Sequence, residues 1–109
     1  MDDKDFNRRA EIMLERIEAA LENCEVDFDF ELLPGGVIEL TFDQQGGSKI
    51  IINRHASARE IWIAAKSGGY HFRPEGLAWI GTRDGVGLMA CLARCMSEQS
   101  GQVIELEED

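Results

Sequence analysis

The sequence predicts an α+β two-layer sandwich, in which two helices pack on one face of an antiparallel sheet of about six strands. Near each end of the chain, apolar residues recur at intervals of three and four, which is typical of amphipathic helices. Between these segments, short apolar or alternating runs are separated by Gly- and Pro-containing turns. With 109 residues, of which 44% are hydrophobic, the chain is expected to form one domain over residues 1–109.

The first predicted helix covers residues 5–24, with apolar positions that include Phe6 and Ile17. Aspartates at its start suit the positive end of the helix macrodipole. Its opposite side carries four glutamates at the spacing i, i+4, i+7 and i+11, here called the helix row: Glu11, Glu15, Glu18 and Glu22. The spacing predicts one line of carboxylates on the solvent side of the helix.

The first predicted strand covers residues 25–32, where acidic and apolar residues alternate without exception. Its acidic side is here called the strand row, and the two rows together the acidic ridge: Glu25, Asp27, Asp29 and Glu31. Asp and Glu have poor strand propensity, so we expect this strand at a sheet edge, where charge also discourages pairing between molecules.

Five further strands are predicted at residues 37–42, 48–53, 60–66, 70–72 and 77–81, joined by short turns as in an antiparallel meander. Asp84 is expected to cap a second helix that runs to about Ser100 and ends at Gly101. The tail, residues 102–109, begins with apolar residues that we expect to pack against the helices before it ends in acids.

The net charge of −10 argues against nucleic acid and anionic membranes as partners and favours cations or a basic protein surface. Most of this charge lies in residues 1–43, which hold 13 acidic and 4 basic residues. No apolar run is long enough to span a bilayer, and the N-terminus resembles neither a signal nor a transit peptide. The expected localisation is therefore cytoplasmic.

Three cysteines do not make a disulfide framework, although Cys91 and Cys95 are predicted to share one helix face. A zinc site there would need two more ligands, and His55 and His71 lie in other segments, so buried small side chains are the favoured interpretation.

If the first helix packs beside the first strand, the two carboxylate rows adjoin. Carboxylates recur about every 5.4 Å along a helix and about every 6.6 Å along one side of a strand, so neither row encloses a single ion. The ridge instead suits several weakly held hard or divalent cations, each bound by one or two carboxylates plus water. The alternative for the helix row alone is an ordinary solvated face.

Trp62 alternates with Ile61 and Ile63, so it is predicted on the sheet face opposite the helices, where an exposed Trp can anchor a partner. The alternative is a core Trp with the faces reversed. His71 is expected on the open face in a structural role. No catalytic triad, phosphate loop or nucleotide fingerprint is present, so an enzyme is not expected.

Several segments resemble the bacterial frataxins, the CyaY branch of the frataxin family: GGV at 35–37, GSKIIINR at 47–54, IWIAAKSGGYHF at 61–72 and WI at 79–80. The likeness extends over nearly the whole chain, and the block from 48 to 72 is specific. The resemblance implies the helix–meander–helix sandwich already predicted from patterning. It also implies a role in iron–sulfur cluster assembly and iron homeostasis, with Fe(II) and Fe(III) bound weakly on the acidic ridge.

The resemblance further implies two protein partners, a cysteine desulfurase docked on the ridge and an iron–sulfur scaffold protein on the open sheet face. By position, the desulfurase contacts would centre on Glu18, Glu22, Asp27 and Asp29, and the scaffold contacts on Asn53 and Trp62. The chain departs from the family pattern at Asn7, where a His sometimes stands, and at Ala19, Ala20 and Asn23, where further acids are frequent.

These features together predict an iron-dependent regulator that is monomeric, with metal-induced oligomers left open. Two alternatives remain: a ferroxidase that stores iron in oligomers, and an acidic interaction module with no metal role. The ferroxidase is disfavoured because no Glu-x-x-His pair is present to build a di-iron centre.

Overall fold

The structure is a computed structural model that describes residues 1–106, so the acids predicted to end the tail at 107–109 lie outside the described residues. The elements run in the order α1 (Asp3–Glu22), β1 (Asp29–Leu33), β2 (Val37–Phe42), β3 (Ser48–His55), β4 (Glu60–Ala65), β5 (Gly68–Glu75), β6 (Ala78–Gly81) and α2 (Leu88–Ser100). A short 3₁₀ turn, Gln44–Gly46, joins β2 to β3. Within the described chain, six strands form one antiparallel sheet in sequence order, which confirms the predicted fold class.

Helix α1 begins at a side-chain cap, because the Asp2 carboxylate accepts a hydrogen bond from the Asp5 backbone N–H at 2.8 Å. The apolar stripe of the helix is buried, with Phe6, Ala10 and Ile17 fully enclosed. Neither helix of the described chain is both long enough and apolar enough to cross a membrane.

The core lies between the two helices and one face of the sheet. Strand register aligns Ile38 with Ile52 and Ile52 with Ile63, so these side chains form a buried row across β2, β3 and β4. Helix α2 contributes Leu92 to the same core, and Ile104 of the tail is also buried there, as predicted, whereas Val103 beside it is exposed. Both helices therefore pack on one face of the sheet and leave the other face open.

Asp84 does not cap α2, because the helix begins three residues later than predicted, after Gly87. Gly85 has a φ of +73°, and an isolated bridge between Ile80 and Gly87 holds the chain extended before the helix. The Asp84 carboxylate instead accepts a hydrogen bond from the Val86 backbone N–H at 3.1 Å. Gly101 ends α2 in the left-handed conformation, as predicted.

The first strand is shorter than predicted, because residues 25–28 have no partner in the sheet. Strand β2 pairs with β1 only as far as the register of Asp29 with Thr41, after which the chain turns into Gln44–Gly46. The Gln44 side chain donates to the Asp27 carbonyl at 2.8 Å in place of the missing ladder. The edge position of β1 is confirmed. Strand β5 is longer than predicted, since the glycines assigned to a turn at 68–69 pair with Ala65 and Ala64.

Candidate functional site

The helix row lies on the solvent side of α1, where Glu11, Glu15 and Glu22 are exposed and Glu18 is half-buried. Three of its members line a groove of about 410 Å³ between α1 and the edge of the sheet: Glu11, Glu15 and Glu18. The other wall of this groove is largely apolar and comes from β1 and β2. The groove therefore combines a line of carboxylates with an apolar floor.

Arg54 lies in the same groove, a feature that the sequence analysis missed. Its backbone N–H donates to the Gly36 carbonyl at 3.1 Å. A Cβ added at Gly36 would lie 3.1 Å from Arg54 Nε, so the glycine makes room for the guanidinium. The signal that could have located Arg54 is strand alternation, which places residue 54 on the same face as Ile50 and Ile52.

The strand row is divided between a strand and the connection that precedes it. Glu25 and Asp27 lie in the connection between α1 and β1, whereas Asp29 and Glu31 lie on β1; all four are exposed. Glu31 pairs with Glu39 across the β1–β2 ladder, and Glu39 in turn forms an ion pair with Lys49 at 3.4 Å.

The two rows do not lie on one side of the strand. Phe30 and Leu32 pair with the buried Leu40 and Ile38, so they face the helix layer. Asp29 and Glu31 alternate with them and therefore belong to the open face of the sheet. The helix row and the β1 carboxylates thus flank the edge strand from opposite sides, joined along the chain by Glu25 and Asp27.

No three His, Cys, Asp or Glu side chains of residues 1–106 come together as a ready-made metal cage. The donors of the acidic ridge are carboxylate oxygens, which are the ligands that hard cations prefer. The residues present therefore fit shallow, partly hydrated binding of hard cations.

On the open face, Trp62 is only partly exposed because it is stacked between two imidazole rings. The His55 ring centroid lies 3.8 Å from that of Trp62, and the His71 centroid lies 4.2 Å away on the other side. Asn53 is the residue paired with Trp62 across β3 and β4. Ile61 and Ile63 are buried against the helices, so the predicted faces of β4 are confirmed and the core alternative for Trp62 is wrong.

Glu60 holds this stack in place and was not recognised in the sequence. It is 7% exposed, and its carboxylate accepts hydrogen bonds from Trp62 Nε1 at 2.7 Å and Arg73 Nε at 3.2 Å. His71 Nδ1 lies 3.6 Å from the same carboxylate. The i, i+2 spacing of Glu60 and Trp62 on one strand was the available signal, because it places both side chains on one face.

The comparisons with known proteins agree with this architecture. The model of the frataxin-like domain matches residues 1–102. The iron–sulfur cluster assembly protein CyaY of Dechloromonas aromatica is 54% identical over 106 residues, covering 97% of this chain and 99% of that protein. The protein of the same name from a Janthinobacterium species is 43% identical over 111 residues, covering 99% and 98%. A solved frataxin from Psychromonas ingrahamii superposes with a TM-score of 0.86 at 26% identity, covering 99% of this chain and all of that one.

Proposed function

Because the chain belongs to the frataxin-like family, we propose that it is an iron-dependent regulator of iron–sulfur cluster assembly and not an enzyme. In this proposal, Fe(II) and Fe(III) bind weakly on the acidic ridge, and a cysteine desulfurase docks on the same ridge through a basic surface. The observation that carries the proposal is the row of carboxylates along one helix, in a family whose curated members are named for this assembly pathway.

Charge repulsion along the ridge supports a role in cation binding. Carboxylates one helical turn apart repel one another, and α1 has no basic residue in its last turn to offset Glu22. A bound cation or a basic partner relieves this repulsion, so either ligand stabilises the folded protein. Since both ligands use the same carboxylates, iron binding and partner docking are expected to be coupled.

The groove of the helix row supports docking of a basic protein. Its carboxylates can pair with a Lys or Arg head group, and its apolar floor can cover the aliphatic stem of the same side chain. Arg54 lies in the same groove and repels a cation that approaches it closely, so the basic side chain of a partner is expected to bind on the carboxylate side of the groove.

The open sheet face supports a second contact, for which we propose the iron–sulfur scaffold protein. The stack of His55, Trp62 and His71 presents a rigid aromatic surface that is already ordered in the free protein, so little side-chain entropy is lost when a partner covers it. Asn53 adjoins it and offers an amide for hydrogen bonding. Trp62→Ala should weaken scaffold binding and leave the affinity for iron unchanged.

The proposal is tested by an anaerobic amide NMR titration with Fe(II). Three proteins are compared: the parent, a ridge variant (Glu18→Gln, Glu22→Gln, Asp27→Asn, Asp29→Asn) and a control variant with exposed acids changed elsewhere (Glu75→Gln, Glu98→Gln). Broadening confined to residues 11–31 in the parent and the control, and lost in the ridge variant, would support the ridge as the iron site. A silent ridge in all three would remove iron from the proposal and leave a metal-independent docking module.

The kinetics of Fe(II) oxidation distinguish the proposed regulator from the ferroxidase alternative. A ferroxidase would accelerate Fe(II) oxidation over buffer in proportion to protein concentration, and the ridge variant would lose this acceleration. We expect no acceleration by the parent.

A further inference from the structure

At the sheet edge opposite the acidic ridge, a cavity of about 520 Å³ lies between β5, the β6–α2 connection and α2. This volume falls in the range of pockets that hold small ligands. The chemically active side chains of its lining are Tyr70, Arg83, Asp84, Cys91 and Arg94. None of them belongs to the acidic ridge.

The cavity carries a local excess of positive charge on a strongly acidic protein. Two guanidiniums, Arg83 and Arg94, line it against the single carboxylate of Asp84. Within residues 1–106, neither arginine forms an ion pair with a carboxylate: the Arg94 guanidinium lies 5.2 Å from the Tyr70 ring centroid, and Arg83 forms no hydrogen bond. The cavity therefore favours an anionic ligand.

Cys91 brings a nucleophile to this cavity. Its residue is only 3% exposed, and its Sγ lies 3.8 Å from Arg94 Nη2. A hydrogen bond from the Cys95 thiol lowers the pKa of the Cys91 thiol to about 7; burial opposes this change, and Arg94 adds to it. The thiolate, which is the reactive form, is thus well populated at neutral pH.

Helix geometry prevents Cys95 from closing an internal disulfide with Cys91. Side chains four apart on an intact helix have Cβ atoms about 5–6 Å apart, whereas a disulfide needs about 3.5–4.5 Å. The hydrogen bond to Cys91 also raises the pKa of Cys95, so Cys95 stays a protonated donor. An adduct formed on Cys91 is therefore not displaced by its neighbour.

We propose that this cavity is a thiol-modification site, at which Cys91 exchanges with an anionic low-molecular-weight disulfide while Arg83 and Arg94 bind the carboxylates of the disulfide. The Cys91 thiolate attacks one sulfur of R–S–S–R, the S–S bond breaks, and a Cys91–S–S–R mixed disulfide forms. The second sulfur leaves as RS⁻ and takes a proton from water. The low-molecular-weight disulfide is itself the oxidant, so no other redox partner is needed.

The probe for the test is oxidised glutathione, which is anionic, with cystamine, which is cationic, as the charge-reversed comparison. Both are reacted with the folded protein on a Cys24→Ser background, and the rate of adduct formation is followed by intact-mass spectrometry and located by peptide mapping. Each rate is divided by the rate of the same disulfide with a small thiol. We expect the adduct on Cys91, and a normalised rate for the anionic disulfide several-fold above that of the cationic one.

Arg83→Gln provides a variant that should not disturb folding, because the side chain is exposed. Its reaction with oxidised glutathione should slow roughly two- to fivefold, the range expected for losing one exposed charge interaction, and its reaction with cystamine should not slow. Glu98→Gln, an exposed change elsewhere on α2, serves as the control. The observed rate should rise with pH through about 7, the pKa given above for the Cys91 thiol.

Three results would overturn the proposal: an adduct on Cys91 only after denaturation, equal normalised rates for the two disulfides, or no effect of Arg83→Gln. Besides Cys91, the titratable side chains around the cavity are Cys95 and Arg94 on α2, Tyr70 on β5, and Arg83 and Asp84 before α2. The pH profile is repeated with His71→Gln, which should leave the inflection in place, because the His71 ring stacks on Trp62 on the open face of the sheet.

Discussion

Glu60 offers the sharpest test of how the open face is built. Its carboxylate is almost fully buried and accepts hydrogen bonds from Trp62 and Arg73. Glu60→Ala leaves the Trp62 indole N–H without its acceptor in a partly buried position. The Arg73 side chain is 71% exposed, so its guanidinium returns to water at little cost.

The expected loss follows from these two contacts. An unsatisfied, partly buried donor costs about 1–3 kcal/mol, and an exposed ion pair contributes at most about 1 kcal/mol. We therefore expect Glu60→Ala to lower the free energy of unfolding by about 2 kcal/mol. For a domain of this size, that change lowers Tm by roughly 8–16 °C.

Urea unfolding followed by circular dichroism measures this loss, and a double-mutant cycle assigns it. Trp62→Phe keeps an aromatic ring in the stack but removes the N–H, so the Glu60–Trp62 coupling energy should be about 1 kcal/mol. Glu60→Gln retains an acceptor and should lose less than Glu60→Ala. A loss below about 0.5 kcal/mol for Glu60→Ala, or no coupling to Trp62, would refute the assigned role.

Further measurements follow from the core, the helix ends and the thiol pair. Ile17→Ala should lower the free energy of unfolding in urea by about 2–5 kcal/mol, because the side chain is fully buried. A smaller loss would mean that neighbouring side chains move to fill the space left by the substitution. Gly101→Ala should cost about 1 kcal/mol, because φ is +76° at this helix end; an unchanged midpoint would contradict the left-handed cap. Glu22→Gln should raise stability by about 0.5 kcal/mol at low salt, since it removes a negative charge from the last turn of α1, while weakening Fe(II) binding if the ridge holds iron. Because folding lowers the pKa of Cys91 from the ordinary value of 9.0, the thiolate adds to the stability of the folded state. This contribution is complete above pH 9.0 and is lost as the pH falls toward 7, so the stability of the parent relative to Cys91→Ser should rise with pH across that window.

The order and type of the elements could be predicted because local periodicity and turn residues agree with the final fold. Strand β2 matches its predicted bounds, since β3 pairs along its whole length and β1 along all but its last residue. The misjudged boundaries depend on contacts between distant segments. Residues 25–28 alternate like a strand but have no partner, and Asp84 has the chemistry of a cap but lies before the helix.

The candidate sites show the same division between local and long-range information. The helix row and the open-face position of Trp62 follow from spacing along one element. Spacing gives the faces on which Glu60 and Arg54 lie, but not their full roles, which also depend on side chains brought in by other strands or by α1. That the β1 carboxylates and the helix row lie on opposite sides of the edge strand could be seen only from the register of β1 with β2.

The placement of charge at the two sheet edges gives the molecule a large electric dipole moment. The acidic ridge lies at the β1 edge, whereas residues 44–104, which form β3 to β6 and α2, hold 7 basic and only 4 acidic residues. In the field of a basic partner, this asymmetry exerts a torque that turns the β1 edge forward before any side chains touch. Fewer encounters are then lost to wrong orientations, and the benefit should shrink as salt shortens the reach of the field.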